Sequence, residues 1–187
     1  DYWLRCSLAG YRFRRVDRVL MDYRISEGSL SADPAASRAA LQQILAKHDI
    51  AELEALYRAR GYPDEIVDYM ACLQHLFRGQ YPLALERARR PWLDEPGADR
   101  DFYLGTLAQL CGEDVMAERH LRSHLARTPD SPAGLNNLGV LLAGRGGDPG
   151  TFWQRAIELF PRYADVRENL AGGCAITRTL LTTDRPR

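Results

Sequence analysis

NNLGVLLAGRGG, residues 136–147, decides how this chain is read. Two asparagines precede a Leu-Gly pair, an apolar run follows, and glycines close it. Alone, this is the first helix of a helical hairpin. Repeated, it is part of a stacking scaffold, whose task is to hold something rather than to react with it. Leu104–Gly105, in YLGTLAQLCGED, precedes Leu138–Gly139 by 34 residues. Gly112, Ala117 and Pro129 follow the first pair, and Gly146, Ala156 and Pro161 take similar places after the second. Gly79, Ala84 and Pro96 precede Gly112, Ala117 and Pro129 by 33 residues each. A partial copy, ADVRENLAGGCA, places Leu170–Ala171 32 residues after Leu138–Gly139.

Each recurring residue has a physical use. Gly105 and Gly139 let two helices approach closely. Gly79 and Gly112 can take the positive φ that ends a helix. Pro129 and Pro161 cannot continue a helix. A hairpin built this way leaves an apolar face that only a neighbouring hairpin can cover.

This pattern resembles the tetratricopeptide repeat, a helix–turn–helix unit of about 34 residues. The copy at 98–131 matches at every place. The copy at 132–163 is two residues shorter between its helices, with Pro149 near the start of its second helix. The copy at about 65–97 is degenerate: Pro91 interrupts its second helix, and Ala71–Cys72 replaces Leu-Gly. The resemblance covers about residues 65–175. It implies a mainly α protein, a right-handed α-α superhelix, with repeats over 65–187. Because the repeat serves many partners, it says little by itself about function. Residues 36–61 read as two further helices, with Asp49 capping the second and Gly61 ending it. The hairpin within 34–64 is either a cap or a diverged repeat.

Residues 1–33 differ. DYWLRCSLAG reads as a helix stopped by Gly10, whereas YRFRRV (11–16) and VLMDYRI (19–25) read as strands, an α/β segment. Asp1, Tyr2-Trp3-Leu4-Arg5, Gly10, Tyr23-Arg24 and Ser29-Leu30-Ser31 occur in the order found at the C-terminal end of the catalytic domain of family 2 glycosyltransferases, which this segment resembles over about 31 residues. Asp1 stands beside the place of the acidic pair that supplies that family's general base, and Ser26 takes the place of its loop histidine. The resemblance implies a parent protein that transfers a sugar from a nucleotide-sugar donor with a divalent metal. It implies no cofactor and no catalytic residue in the part present here. Trp3, Leu4, Leu8, Phe13, Val16, Val19, Leu20 and Tyr23 would then pack against that catalytic domain. The alternative is a stand-alone scaffold or adaptor without enzymatic activity.

The bulk numbers narrow the partners. Lys+Arg and Asp+Glu are both 25, so net charge is zero and nothing favours nucleic acid. No apolar run approaches the roughly 20 residues of a transmembrane helix. Cys6, Cys72, Cys111 and Cys174 form no CxxC pair and read as reduced thiols buried in helices, which suits the cytoplasm. His120 and His124 have the i, i+4 spacing of a metal clamp but lack an acidic companion and a third ligand, so no metal site is expected. GRGGDPG lies between two helices and lacks the Gly-Lys-Ser/Thr of a phosphate-binding loop.

The asparagines carry the functional expectation. Asn137 and Asn169 precede Leu138 and Leu170 in matching register. In the repeat that this chain resembles, the first helix of each unit lines the inside of the superhelix. In some members, including O-linked N-acetylglucosamine transferase, asparagine at this place grips an extended peptide. One amide offers both a donor and an acceptor, which matches a peptide unit without reading its side chain. Tyr103 holds the corresponding place one repeat earlier, with Phe102, Thr106 and Asn136 nearby. The expected partner is a protein or extended peptide, with Asn137 and Asn169 on its backbone and Phe102 and Tyr103 in apolar contact. The competing reading is that Asn137 and Asn169 only bond neighbouring helices.

Overall fold

Several helix boundaries fall at residues singled out above: Asp49 precedes a helix, Gly10, Gly61, Gly79, Gly112 and Gly146 follow helix ends, and Pro129 and Pro161 stand two residues past one, while Pro96 lies outside the described residues. A computed structural model describes residues 2–13, 34–92 and 99–178; they contain ten α-helices and no strand. The chain divides into two units, Asp1–Pro63 and Asp64–Arg187.

The first unit contains α1 (Tyr2–Leu8), α2 (Pro34–Leu45) and α3 (Ile50–Ala59). Asp49 caps α3, its carboxylate accepting the Ala51 N–H at 2.9 Å. Gly10 and Gly61, at φ 93° and 78°, follow the ends of α1 and α3. Arg60 ties these two ends together, donating to the Ser7 carbonyl at 2.5 Å and the Tyr11 carbonyl at 3.2 Å. The α/β character expected for residues 1–33 is absent from the part described: Tyr2–Leu8 is helix, and residues 11–13 are in no strand. The strand expected at 19–25, the rest of the one expected at 11–16, and the Tyr23-Arg24 and Ser29–Ser31 motifs lie outside the described residues. Tyr2, Tyr11 and Phe13 are exposed, so apolar surface of this segment remains uncovered.

The second unit runs α4 (Asp64–Phe77), α5 (Tyr81–Arg89), α6 (Arg100–Leu110), α7 (Asp114–Arg127), α8 (Pro132–Gly144), α9 (Gly150–Leu159) and α10 (Ala164–Leu170). Helices pack in sequential pairs: α4 on α5, α6 on α7, α8 on α9. The second helix of each pair packs on the first of the next, and α8 also touches both α6 and α10. Gly79, Gly112 and Gly146 end the first helix of each pair at φ 74°, 76° and 74°. Pro91 follows the end of α5, and Pro149 is the N-cap of α9. Among the described residues no helix is long and apolar enough to cross a membrane.

The core follows the pairs. Leu76, Ala84, Phe102, Tyr103 and Leu107 form one buried cluster. Ala117, Leu121, Leu138 and Leu141 form the next, and Leu135, Trp153, Ala156, Tyr163 and Val166 the last. Burying each large apolar side chain contributes roughly 1.5–3 kcal/mol. The helices approach closely at the Leu-Gly pairs. A Cβ on Gly105 would lie 2.8 Å from Leu121 Cγ, and one on Gly139 would lie 2.7 Å from Trp153 Cδ1.

Charge braces the α6–α7 pair. Asp99, the N-cap of α6, accepts from the Phe102 N–H at 3.2 Å and pairs with His124 at 2.7 Å and Arg127 at 2.9 Å. Asp101 meets His120 at 2.6 Å, Ser123 at 2.7 Å and Arg127 at 2.6 Å. The two histidines with helical i, i+4 spacing are each engaged by a carboxylate of α6. Burial alone would raise the pKa of Asp101, but the hydrogen bonds from His120, Ser123 and Arg127 outweigh it and hold the carboxyl at about 2. Asp99 is also lowered: the burial penalty is exceeded by the His124 hydrogen bond and charge, the Phe102 amide and Arg127. Of the cysteines, Cys72 is buried in α4 and burial pushes its thiol up to about 12. The other three depart from expectation: Cys6 and Cys111 are half-buried, Cys111 as the C-cap of α6, and Cys174 is exposed and lies beyond the last helix.

Two outcomes follow. Gly105→Ala and Gly139→Ala each lower stability by about 1–3 kcal/mol through overpacking, whereas Gly144→Ala, which meets nothing within 4 Å, is neutral or stabilising by up to about 1 kcal/mol; urea denaturation measures all three. A carboxylate with a depressed folded pKa stabilises the fold above its unfolded pKa of roughly 3.9, and that stabilisation is lost as pH falls through the folded value. The urea midpoint therefore drops between about pH 4 and pH 2. Asp101→Asn starts less stable at neutral pH and loses less over that window.

Candidate functional site

Asparagine is a poor helix former, yet α8 carries two in succession. Asn136 and Asn137 are fully buried, and Asn169 of α10 is 2% exposed. Ser131 starts α8 by accepting the Gly134 N–H at 3.1 Å, which leaves the asparagine side chains free of capping duty. A buried amide must satisfy its N–H and its C=O together. Part of this is met between helices. Asn169 Nδ2 donates to Asn136 Oδ1 at 2.8 Å, and Asn137 Nδ2 donates to Thr106 Oγ1 of α6 at 2.9 Å.

The remaining valences go to the chain's own segment after α10. Gly172, at φ 93°, and Gly173 follow the helix end; a Cβ on Gly173 would lie 2.7 Å from Glu168 Cγ. The chain beyond them passes over α10 and α8. Asn169 Oδ1 accepts the Ala175 N–H at 2.5 Å, and its Nδ2 donates to the Ala175 carbonyl at 2.9 Å. Asn137 repeats this two residues on: Oδ1 accepts the Thr177 N–H at 2.8 Å, and Nδ2 donates to the Thr177 carbonyl at 2.8 Å. Asn136 adds a bond to the Ala175 carbonyl at 2.9 Å. Engagement at alternate residues is the period of extended chain. Asn137 and Asn169 each close a two-bond ring with one residue's backbone and make no bond to its side chain.

The Thr177 side chain is also held. It is 4% exposed. Its hydroxyl donates to Asp165 Oδ2 at 2.6 Å, accepts from Asn136 Nδ2 at 3.2 Å and bonds the Tyr163 hydroxyl. Arg178 follows with its guanidinium 5.6 Å from the centre of the Tyr81 ring, within the roughly 6 Å of a cation–π contact.

The structure thus brings Asn136, Asn137, Asn169 and Thr106 together. Tyr103 and Phe102 sit elsewhere in the same unit. Phe102 is wholly buried, its ring edge-on to Tyr103 and His124. Tyr103 is 3% exposed and packs against Tyr69 and Trp92. Apolar residues beside the Leu-Gly pair can face the core or the surface, and periodicity does not separate the two. Ala175, Thr177, Tyr163 and Asp165 were absent from the sequence expectation. The Gly172-Gly173 pair, which permits a sharp change of direction, was the available signal. Among the described residues no cluster of three metal-ligating side chains occurs. No protein-family model, curated protein or solved structure matches this chain.

The two rings are separable by amide hydrogen exchange. Asn137→Ala speeds exchange at Thr177 more than at Ala175, and Asn169→Ala does the reverse; for each lost bond of about 1 kcal/mol the change is on the order of fivefold.

Proposed function

We propose that the second unit is a peptide-binding module of the tetratricopeptide-repeat type. Its inner wall holds an extended backbone through Asn137 and Asn169, with Asn136 and Thr106 orienting them. One observation carries the reading: each of these two asparagines bonds both the N–H and the carbonyl of a single residue, at alternate positions of an extended segment. The residues 171–178 fill the wall in cis, and a partner protein or peptide takes their place in trans. Inter-helix bonding and backbone gripping are then not rivals, because the same amides do both. The repeat assignment is supported by the spacing of the Leu-Gly pairs, turn glycines and closing prolines, together with the sequential pairing of helices.

The position of this module, in the same proposal, is after the catalytic domain of a family 2 glycosyltransferase. The support is the ordered motif of residues 1–31 and the helix Tyr2–Leu8 closed by Gly10 at positive φ. Sugar transfer from a nucleotide donor belongs to that parent, and this part brings the enzyme to an acceptor or assembly partner.

The test uses the full chain with Ala175→Pro and Thr177→Pro, which deletes the two amide donors of the cis segment. Such release is needed because a segment tethered this closely competes at an effective concentration on the order of millimolar. A fluorescent peptide of residues 172–178, with Ser in place of Cys174, binds this variant saturably by anisotropy. Adding Asn137→Ala and Asn169→Ala weakens it at least about tenfold, as expected for four lost bonds of about 1 kcal/mol or less each. Equal binding with and without the asparagines rejects the ladder.

A further inference from the structure

Backbone bonds alone make a wall that takes any extended chain. The contacts around Thr177 are of another kind, because they read a side chain. A hydroxyl has one proton to donate and two lone pairs to accept with. All three are used here: the proton goes to Asp165 Oδ2 at 2.6 Å, and the lone pairs face Asn136 Nδ2 at 3.2 Å and the Tyr163 hydroxyl. Neither Tyr163 nor Asp165 has a capping role that explains this aim. Tyr163 is the N-cap residue of α10 and makes no side-chain capping bond, and Asp165 spends Oδ2 on the hydroxyl although it lies in the first turn of that helix.

Resting on the peptide-binding reading, we infer that Tyr163, Asp165 and Asn136 form a hydroxyl-reading subsite, so that the extended peptide this wall selects carries an unmodified Ser or Thr at the place held by Thr177. Valine fills the same volume but removes the bonds that Asp165, Asn136 and the Tyr163 hydroxyl make to Thr177. Serine supplies all three bonds and loses only a methyl group. A phosphate or sugar on this oxygen removes the proton that Asp165 accepts. It also meets a site with almost no exposed surface, and a phosphate places negative charge against the carboxylate. The subsite therefore separates free from modified hydroxyls as well as Ser/Thr from apolar residues.

The test is amide exchange at Ala175 and Thr177 in the full chain, comparing wild type with Thr177→Ser and Thr177→Val. Serine keeps exchange within about threefold of wild type, and valine speeds it at least about tenfold, the ratio for roughly 1.4 kcal/mol. On an Asp165→Ala, Tyr163→Phe background, which keeps the Tyr163 ring, the Ser/Val gap closes. In trans, the proline-released chain binds the Thr and Ser peptides, binds the Val peptide at least about tenfold more weakly, and does not bind the phosphothreonine peptide. Valine protected as well as threonine, or phosphothreonine bound as tightly as threonine, overturns the subsite while the backbone grip stands. Unprotected Ala175 and Thr177 amides in wild type overturn the backbone grip, and the subsite with it.

Discussion

A primary amide buried in a protein has two N–H donors and a carbonyl to satisfy, and a helix offers it nothing, since the helical backbone is already paired. This requirement governs the last third of the chain. Asn136, Asn137 and Asn169 are all but inaccessible, and bonds between helices meet only part of their capacity. An extended backbone, with one donor and one acceptor per residue at a repeat matched by alternate contacts, meets the rest. The segment after α10 lies on α8 and α10, and its backbone at Ala175 and Thr177 supplies those partners.

For those amides to face one segment, the helices that carry them must stand close together. The Leu-Gly pairs provide this. At Gly105 and Gly139 the neighbouring helix comes so near that Leu121 and Trp153 occupy the volume of a side chain. Trp153 then donates to the Asn136 carbonyl at 3.3 Å, which links the closest packing to the residue at the centre of the amide network. Earlier in the unit, Ala71–Cys72 stands where the later pairs have Leu-Gly, Pro91 follows the end of α5, and Tyr69, Trp92 and Tyr103 pack ring against ring.

The charged residues do different work. Asp99 and Asp101 gather two histidines, a serine and an arginine from α7, and so fix one hairpin. With net charge zero, the interactions described are short-range hydrogen bonds and ion pairs, which demand geometry, rather than long-range fields, which demand only sign.

Much of this was legible locally. Asp49 and Gly61 announce the ends of α3, the glycines at 79, 112 and 146 announce three turns, and the spacing of Asn137 and Asn169 announces that two amides share a face. These readings succeed because each depends on φ preference or on helical period, properties of a few neighbouring residues. Tertiary structure alone decided which rings went inward, since Phe102 and Tyr103 are apolar on either reading. It also decided what the asparagines hold. The bonds from Asn137 to Thr177 join residues 40 apart in sequence, and no pattern along the chain records that Ala175, Thr177, Tyr163 and Asp165 meet on one wall. That meeting depends on a change of direction at Gly172-Gly173 and on the stacking of hairpins, and only the folded chain brings the two together.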